Sequence, residues 1–539
     1  MNRLTSKASL ITPGYVVTFL MITLLFFLWA FPNILNDVLI KQFEKSLELS
    51  SGQTSFLPLA LKTGYFLVAI PAGFFMQRWG YKTGILLGLL LFALGCVLFY
   101  PASLSHTYIV FLGGIFVMAS GCAFLEIGAN SFVVALGDKR TSERRLNLAQ
   151  SFNPIGGIAA ATLGTVVIFS GIEPKDHTVA LWKDKTAYEI YDAMQSGGKE
   201  AAAKFYTADF FDNVTHVGGK KLAKFQSPPS DEELEAWQKF FTRERSPEQV
   251  AEWKNSEIKA YDAFLESENM RVFPAYLTLA AFVLLIAFII WKSKFPEIAA
   301  PSKAAGEKKG RFRELLKFPH WWGAIISQFF YLGAQLGTWS YLIIYIQNNS
   351  DLGEKQAGAF LVANMIIFML GRFLSTYLMK FFKPQRLMGT YACINIVLVA
   401  IAILGSKWVS VKFGLGLHSL TVSLPFIYGG VSLPVGIYAL MTTTLFMSLM
   451  YPTNFASGMK GLGPNAKLGA SILVMSLIGG ALLSMLMGQI RGAEFAQLSG
   501  MGTTYKGEIA PGLIVPIISY CVIAWYAFVG SRPRGPLYD

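Results

Sequence analysis

The stretch FFLWAFPNILNDVLI, residues 26–40, closes an apolar run that begins near residue 14, yet it carries Asn33, Asn36 and Asp37. About 20 apolar residues are needed to cross the roughly 30 Å of hydrocarbon in a bilayer, so the run is long enough to span one. An acidic side chain at the centre of such a helix costs roughly 2.5–3.5 kcal/mol on insertion scales. A chain that keeps one there must pair it or use it. The leading MNRLTSKAS carries no A-x-A cleavage pattern, and the run is too long for a signal-peptide core, so it is predicted to stay as the first span.

Outward from this stretch the same pattern recurs. The 539 residues are 53% hydrophobic and 15% charged with a mean hydropathy of +0.46, too apolar for a water-soluble globule. Twelve spans are read at 14–40, 54–78, 83–101, 107–137, 146–172, 270–292, 320–347, 356–380, 386–406, 431–455, 466–490 and 511–530. The predicted fold is an all-α polytopic membrane protein of two pseudo-symmetric six-helix halves. Pro32, Pro71, Pro154, Pro434 and Pro452 are expected to interrupt helices and free backbone groups that must face protein or a water-filled cavity.

Charge supplies the orientation. The net charge of +13 sits in short connectors: Arg78 and Lys82, then Lys139 to Arg145, Lys303 to Lys317, Lys380 to Arg386, and Arg532 with Arg534. These alternate connectors fall on one side, the positive-inside pattern, so both termini are expected in the cytoplasm and nucleic acid is not a partner. Residues 173–268 hold 13 Lys and Arg against 19 Asp and Glu and are placed outside. Ser230 with Glu233, and Ser246 with Gln249, read there as capping boxes opening helices. Cys96, Cys122, Cys393 and Cys521 all lie in apolar spans, which implies no disulfide framework.

The division reads as 1–172 for the first half, 173–268 for the outer insertion, 269–292 for span 6, 293–319 for an inner linker and 320–539 for the second half. A repeat relates the halves: FFLWAFPNILNDVLI from Phe26 matches FFYLGAQLGTWSYLIIY from Phe329 at an offset of 303, pairing Asp37 with Ser340. Ile155-Gly156-Gly157 matches Ile478-Gly479-Gly480 at an offset of 323, the difference being absorbed by the longer 407–430 connection. Such repeats are common in transporters.

Only two of the 33 acidic residues lie inside spans, Asp37 and Glu126. A carboxylate withdrawn from water favours its protonated form, which suits a proton-coupled cycle. Lys62 is the only lysine deep in a span and is a candidate counter-ion; Arg372 is read as pinning a helix end. The amides Asn36, Gln150, Asn153, Gln335 and Asn454 both donate and accept, as sugar hydroxyls do. Trp339, with Tyr341, Phe152 and Tyr65, could stack on the apolar face of a sugar ring.

The segments GYFLVAIPAG at Gly64, GYKTGILLGLLLFALG at Gly80, LEIGANSF around Glu126, RLNLAQSFNPIGG at Arg145, GAQLGTWSYLI at Gly333 and YPTNFASGMKGLG at Tyr451 carry a resemblance. In order and over nearly every span, the chain resembles the fucose/galactose/hexose symporter group of the major facilitator superfamily. The resemblance implies a central cavity between halves, uptake of a neutral monosaccharide (hexose, deoxyhexose or N-acetylhexosamine) by proton symport, no cofactor, a monomer, and residence in a bacterial inner membrane. It implies proton coupling through Asp37 and Glu126, with Glu126, Gln150 and Asn153 near the sugar. The superfamily motif G-x-x-x-D-R-x-G-x-[RK] runs from Gly73 to Lys82 with Gln77 in place of Asp. The alternatives are coupling to Na⁺, a non-sugar solute, or a sensor or enzyme built on residues 173–268. Against an enzyme, the chain has no H-E-x-x-H, G-x-S-x-G or metal-ligand cluster, and there is no G-x-x-x-x-G-K-[ST] loop for a primary pump.

Overall fold

The computed structural model describes residues 10–12, 14–46, 56–105, 107–163, 216–217, 220–221, 246, 248, 270, 272–293, 295, 310–350, 352, 354–414, 416–423, 432–490, 509–535 and 537; for residues 33, 36–46, 56–58, 105, 161, 163, 216–217, 220–221, 272, 354–356, 358 and 411–413 only the backbone path is described. The first half comprises α1 (Val16–Ser46), α2 (Phe56–Val97), α3 (Phe99–Ser105), α4 (Tyr108–Ala135), α5 (Ser142–Gln150), α6 (Asn153–Leu163) and α7 (Val272–Lys292). A short α8 (Phe312–Leu315) leads into the second half: α9 (Pro319–Asn349), α10 (Glu354–Leu378), α11 (Pro384–Leu404), α12 (Lys407–Phe413), α13 (Val435–Met447), α14 (Met450–Gly458), α15 (Ala466–Met475), α16 (Ile478–Ile490) and α17 (Ile514–Trp525). Within the described residues, each of the twelve predicted spans falls mainly on helix. Nine helical stretches among the described residues are long and apolar enough to cross a bilayer, and one of them, Leu59–Leu104, holds two predicted spans.

Those two spans separate at Gly80, whose φ of 83° and ψ of 170° lie outside helical space. The chain reverses there. Before the turn, Gly64 lies against Ala119 and Phe116 of α4; after it, Gly88 and Gly95 lie against Gly121 and Met118 of the same helix. The two arms of α2 therefore flank α4 in opposite directions.

The internal repeat is visible in packing. On α6, Gly156 meets the backbone oxygen of Phe27 and Gly157 meets Ile34; on α16, Gly479 meets the backbone oxygen of Phe329 and Gly480 meets Leu336. Equivalent glycines thus admit α1 and α9 at equivalent points, but the register relating α1 to α9 is 302, one less than the sequence match suggested. Asp37 then corresponds to Trp339, not Ser340.

Prolines behave in two ways. Pro32 and Pro71 sit inside continuous helices, contrary to the expected interruptions. Pro154 and Pro452 instead occupy the first turns of α6 and α14, where a missing N–H costs no helical hydrogen bond. Pro434 caps the start of α13. Spans 5 and 10 are each built from two consecutive helices at these prolines, and span 11 is divided likewise, at Ser476–Leu477, without one.

Two small antiparallel ladders complete the described residues, His216–Val217 with Lys220–Lys221 and Thr421–Ser423 with Ser432–Pro434. The helices expected from Ser230 and Ser246 fall outside the described residues, apart from Ser246 and Glu248.

Candidate functional site

Glu126 occupies the middle of α4, on a stretch buried continuously from Met118 to Val133, and is itself only 4% exposed. Burying a carboxylate without compensation is expensive, so its surroundings are informative. Tyr451, on α14 of the second half, donates a hydrogen bond to Glu126 Oε1. Among the described residues, Glu126 Oε2 has no hydrogen-bond partner. The ring of Tyr331 on α9 meets that of Tyr451 edge-on at 6.2 Å.

One helical turn beyond Glu126, Asn130 Oδ1 accepts from Gln150 Nε2 at 2.7 Å. Gln150 closes α5, and both its side-chain and backbone oxygens accept from Arg372 Nη1 of α10 at 2.9 Å. Arg372 is 4% exposed and lies over the Phe368 ring at 4.7 Å. Its own carbonyl accepts from Asn147 Nδ2 at 2.9 Å, and the same amide reaches Thr376 Oγ1 at 2.9 Å. Arg144 Nε donates to the Thr376 carbonyl at 3.2 Å. Residues 144, 147 and 150 form one face of α5, and that face is fastened to α10.

A second contact closes the same end of the molecule, the face that carries the Lys and Arg clusters. Glu143 is buried; Lys460 forms an ion pair with its Oε1, and Gln385 Nε2 donates to the same oxygen at 2.7 Å. Gln385 also reaches Ser457 Oγ at 3.0 Å. Arg145 is fully buried and fixes the turn beneath, donating to the carbonyls of Val133 and Val134 at 2.6 Å. Burial pushes its guanidinium down to about 10 while Asp138 and Glu143 oppose the shift, so it stays charged at neutral pH. Gln77, at the Asp position of the motif, donates to the Gly310 carbonyl at 3.2 Å, and Lys82 binds the Trp291 and Ser293 carbonyls ending α7 at 2.9 and 2.8 Å. Every hydrogen bond between the halves among the described residues lies at the level of Glu126 or on this basic face.

The sequence-predicted residues divide into those the fold gathers and those it does not. Glu126 and Gln150 belong to one network. Lys62, partly buried on α2, lies over the Tyr65 ring at 5.9 Å, and its charge acts on Glu126. Asn153 Nδ2 donates to the Phe26 carbonyl at 3.1 Å, tying α6 to α1. Asn454 accepts from Ser327 Oγ at 3.0 Å, and its Nδ2 is buried without a partner among the described residues. Trp339 packs edge-on against Phe368 at 5.1 Å, while Gln335 is half-buried one turn away. Asn36 and Asp37 lie on α1, and their side chains are outside the described residues. Tyr451 and Asn130 were missed as functional residues, although both stand in motifs quoted above. Arg372 does not pin a helix end; it joins the halves. A charge inside a span was its only signal.

Two repeated bundles joined around a buried carboxylate define a polytopic membrane carrier. The chain belongs to the major facilitator superfamily, a family of membrane transporters, and that family's profile matches residues 11–174. It is 31% identical over 524 residues to the L-fucose-proton symporter of Escherichia coli (strain K12), covering 96% of this chain and 94% of that protein. It is 25% identical to the glucose/galactose transporter of Brucella abortus biovar 1 (strain 9-941), covering 96% and 95%. Among solved structures it is similar to the major facilitator transporter FucP in the outward conformation, with a TM-score of 0.66 and 30% identity over 96% of this chain and 99% of that one.

Proposed function

We propose that this chain is a secondary active transporter that imports a neutral monosaccharide by proton symport through alternating access. The carrying observation is Glu126, a buried carboxylate held by Tyr451 from the opposite half and set one turn from the Asn130–Gln150 amide pair. A group that exchanges a proton at the seam can couple that proton to the relative position of the halves. The amides beside it offer paired donors and acceptors to a hydroxylated ligand. The similarity to proteins named for fucose–proton symport and glucose/galactose transport supports the sugar class.

In this reading Asp37 and Glu126 carry the proton. Glu126, Gln150, Asn153, Asn36, Gln335, Trp339 and Asn454 contact the sugar, and Lys62 acts as counter-ion. The basic face is cytoplasmic, with both termini on it, in a bacterial inner membrane, and the unit is a monomer without a cofactor. The bonds joining the halves on that face then make this an outward-facing arrangement. One proton moving down 100 mV supplies about 2.3 kcal/mol, enough for more than a tenfold gradient of a neutral sugar.

The test is uptake into proteoliposomes over a panel of labelled sugars under an imposed pH or Na⁺ gradient, for wild type and Glu126→Gln. The expected result is one sugar accumulating under the pH gradient only, and not in the variant. Accumulation under Na⁺ alone, or none for any sugar with folded protein, overturns the reading.

A further inference from the structure

Arg372 is a buried cation with no ion pair among the described residues. Neutral oxygens of Gln150 and the face of Phe368 surround it. A charge so placed gains most from an anion in the same low-dielectric region, because attraction there is screened far less than in water. Its field reaches Tyr451 and Tyr331. Tyr451 in turn bonds to Glu126. Along the other side, Arg372 is linked to Glu126 through Gln150, Asn130 and one turn of α4. The two groups sit on opposite halves, Glu126 on α4 and Arg372 on α10.

The groups facing Glu126 give the sign. They are Tyr451 on α14, Lys62 with Tyr65 on α2, Cys122 on its own helix, and, one residue further, Tyr331 on α9 and Arg372 on α10. Lys62 and Tyr65 belong to the same half as Glu126, so their attraction does not change when the halves part. Arg372 belongs to the other half, and its link to Glu126 through Gln150 and Asn130 is broken as the halves part. Opening the basic face must draw Arg372 away from Gln150 and from Asn147, whose amide holds the Arg372 carbonyl.

We propose that Arg372 is a positioning residue that couples the charge on Glu126 to closure of the basic face. While Glu126 is ionised, Arg372 and the α5 face are held together; when Glu126 takes up a proton the attraction is lost and the halves can part there. A carrier with this link would return empty in the ionised form and open inward when protonated, the sense symport requires. The proposal rests on the symport reading for its biological meaning, but its geometry is tested without any sugar.

The test places spin labels on the exposed basic face at Lys139→Cys in the first half and Lys383→Cys in the second, with Cys393 and Cys521 replaced by Ser, and measures the distance distribution from alkaline to acid pH. In the otherwise wild-type chain a short distance dominates at alkaline pH and a longer one gains population on acidification. Glu126→Gln should show the longer distance at every pH, and so should Arg372→Gln, whereas Arg372→Lys should retain a pH response. In transport, Arg372→Gln should lower gradient-driven accumulation by about 5- to 150-fold, the range of typical coupling energies. Three results overturn the proposal: no pH response in the wild-type background, Arg372→Gln keeping that response, or Glu126→Gln staying closed. Should Arg372→Gln fail to fold, the Glu126→Gln distances decide. A wild-type chain that moves no sugar but still shows the distance response would remove the function and leave the latch.

Discussion

Tyr451 of α14 donates its hydroxyl hydrogen bond to Glu126 of α4, across the boundary between the two halves. Hydrogen bonds to charged groups contribute about 1.5–3 kcal/mol, and a buried oxygen left without its donor bears the desolvation cost as well. Tyr451→Phe preserves the ring and its edge contact with Tyr331 while removing only the donor. It should lower gradient-driven uptake roughly 10- to 150-fold. Thermal unfolding should show the same bond as a loss of about 1.5–3 kcal/mol, with no further loss from packing. Undiminished uptake would show that this bond takes no part in coupling.

The ion pair between Glu143 and Lys460 crosses the same boundary on the basic face, with Gln385 donating to the same carboxylate oxygen. Glu143 is buried whereas Lys460 is 32% exposed, so solvent screens the pair and geometry matters more than bare attraction. Glu143→Ala should speed thiol labelling of a Ser457→Cys probe from the basic side, because the probe already replaces one of Gln385's two oxygen anchors and the variant removes the other. The exchanged pair Glu143→Lys with Lys460→Glu should label more slowly than Glu143→Lys alone. Equal labelling of the exchanged pair and the single variant would deny the pair a role in closure.

The repeat makes a paired prediction. A methyl group on Gly156 would fall 2.1 Å from the Phe27 backbone oxygen, and one on Gly479 would fall 2.3 Å from that of Phe329. Neither neighbour is the flexible tip of a side chain, so helices must shift. Gly156→Ala and Gly479→Ala should each destabilise by about 1–3 kcal/mol, the usual cost of overpacking, and by similar amounts. Thermal unfolding in detergent checks both. A large loss at one site and none at the other would show that the halves do not bear these contacts equally.

Span number and placement were legible because membrane thickness fixes the length of an apolar run, and a lone acid such as Glu126 within one is visible by contrast. Partners were not legible. Arg372 binds Gln150 across 222 positions of sequence, and nothing local to the sequence Gly-Arg-Phe distinguishes a cation joining two halves from one pinning a helix end. The repeat register was off by one because two short identities cannot fix it, whereas glycine contacts on a neighbouring backbone can. Pro32 and Pro71 read as breaks, yet a helix held by its neighbours tolerates a proline, since surrounding groups can satisfy the freed carbonyl.

Gly80 offers the sharpest test of how the basic face is built. Its φ of 83° with ψ of 170° lies in a region that is essentially glycine's alone, and a Cβ there would meet no atom within 4 Å. The cost of Gly80→Ala is therefore backbone strain and not crowding, about 1–3 kcal/mol. The turn also sets Lys82 against the Trp291 and Ser293 carbonyls and Gln77 against that of Gly310, so strain at Gly80 should loosen both attachments. Gly113, on α4, has equally open surroundings but is helical, and Gly113→Ala should stabilise by about 0.5–1 kcal/mol through helix propensity. The same substitution is thus expected to lower the unfolding temperature at Gly80 and to raise it or leave it unchanged at Gly113. If both variants shift the same way, the reversal between the arms of α2 does not depend on the conformation that only glycine supplies.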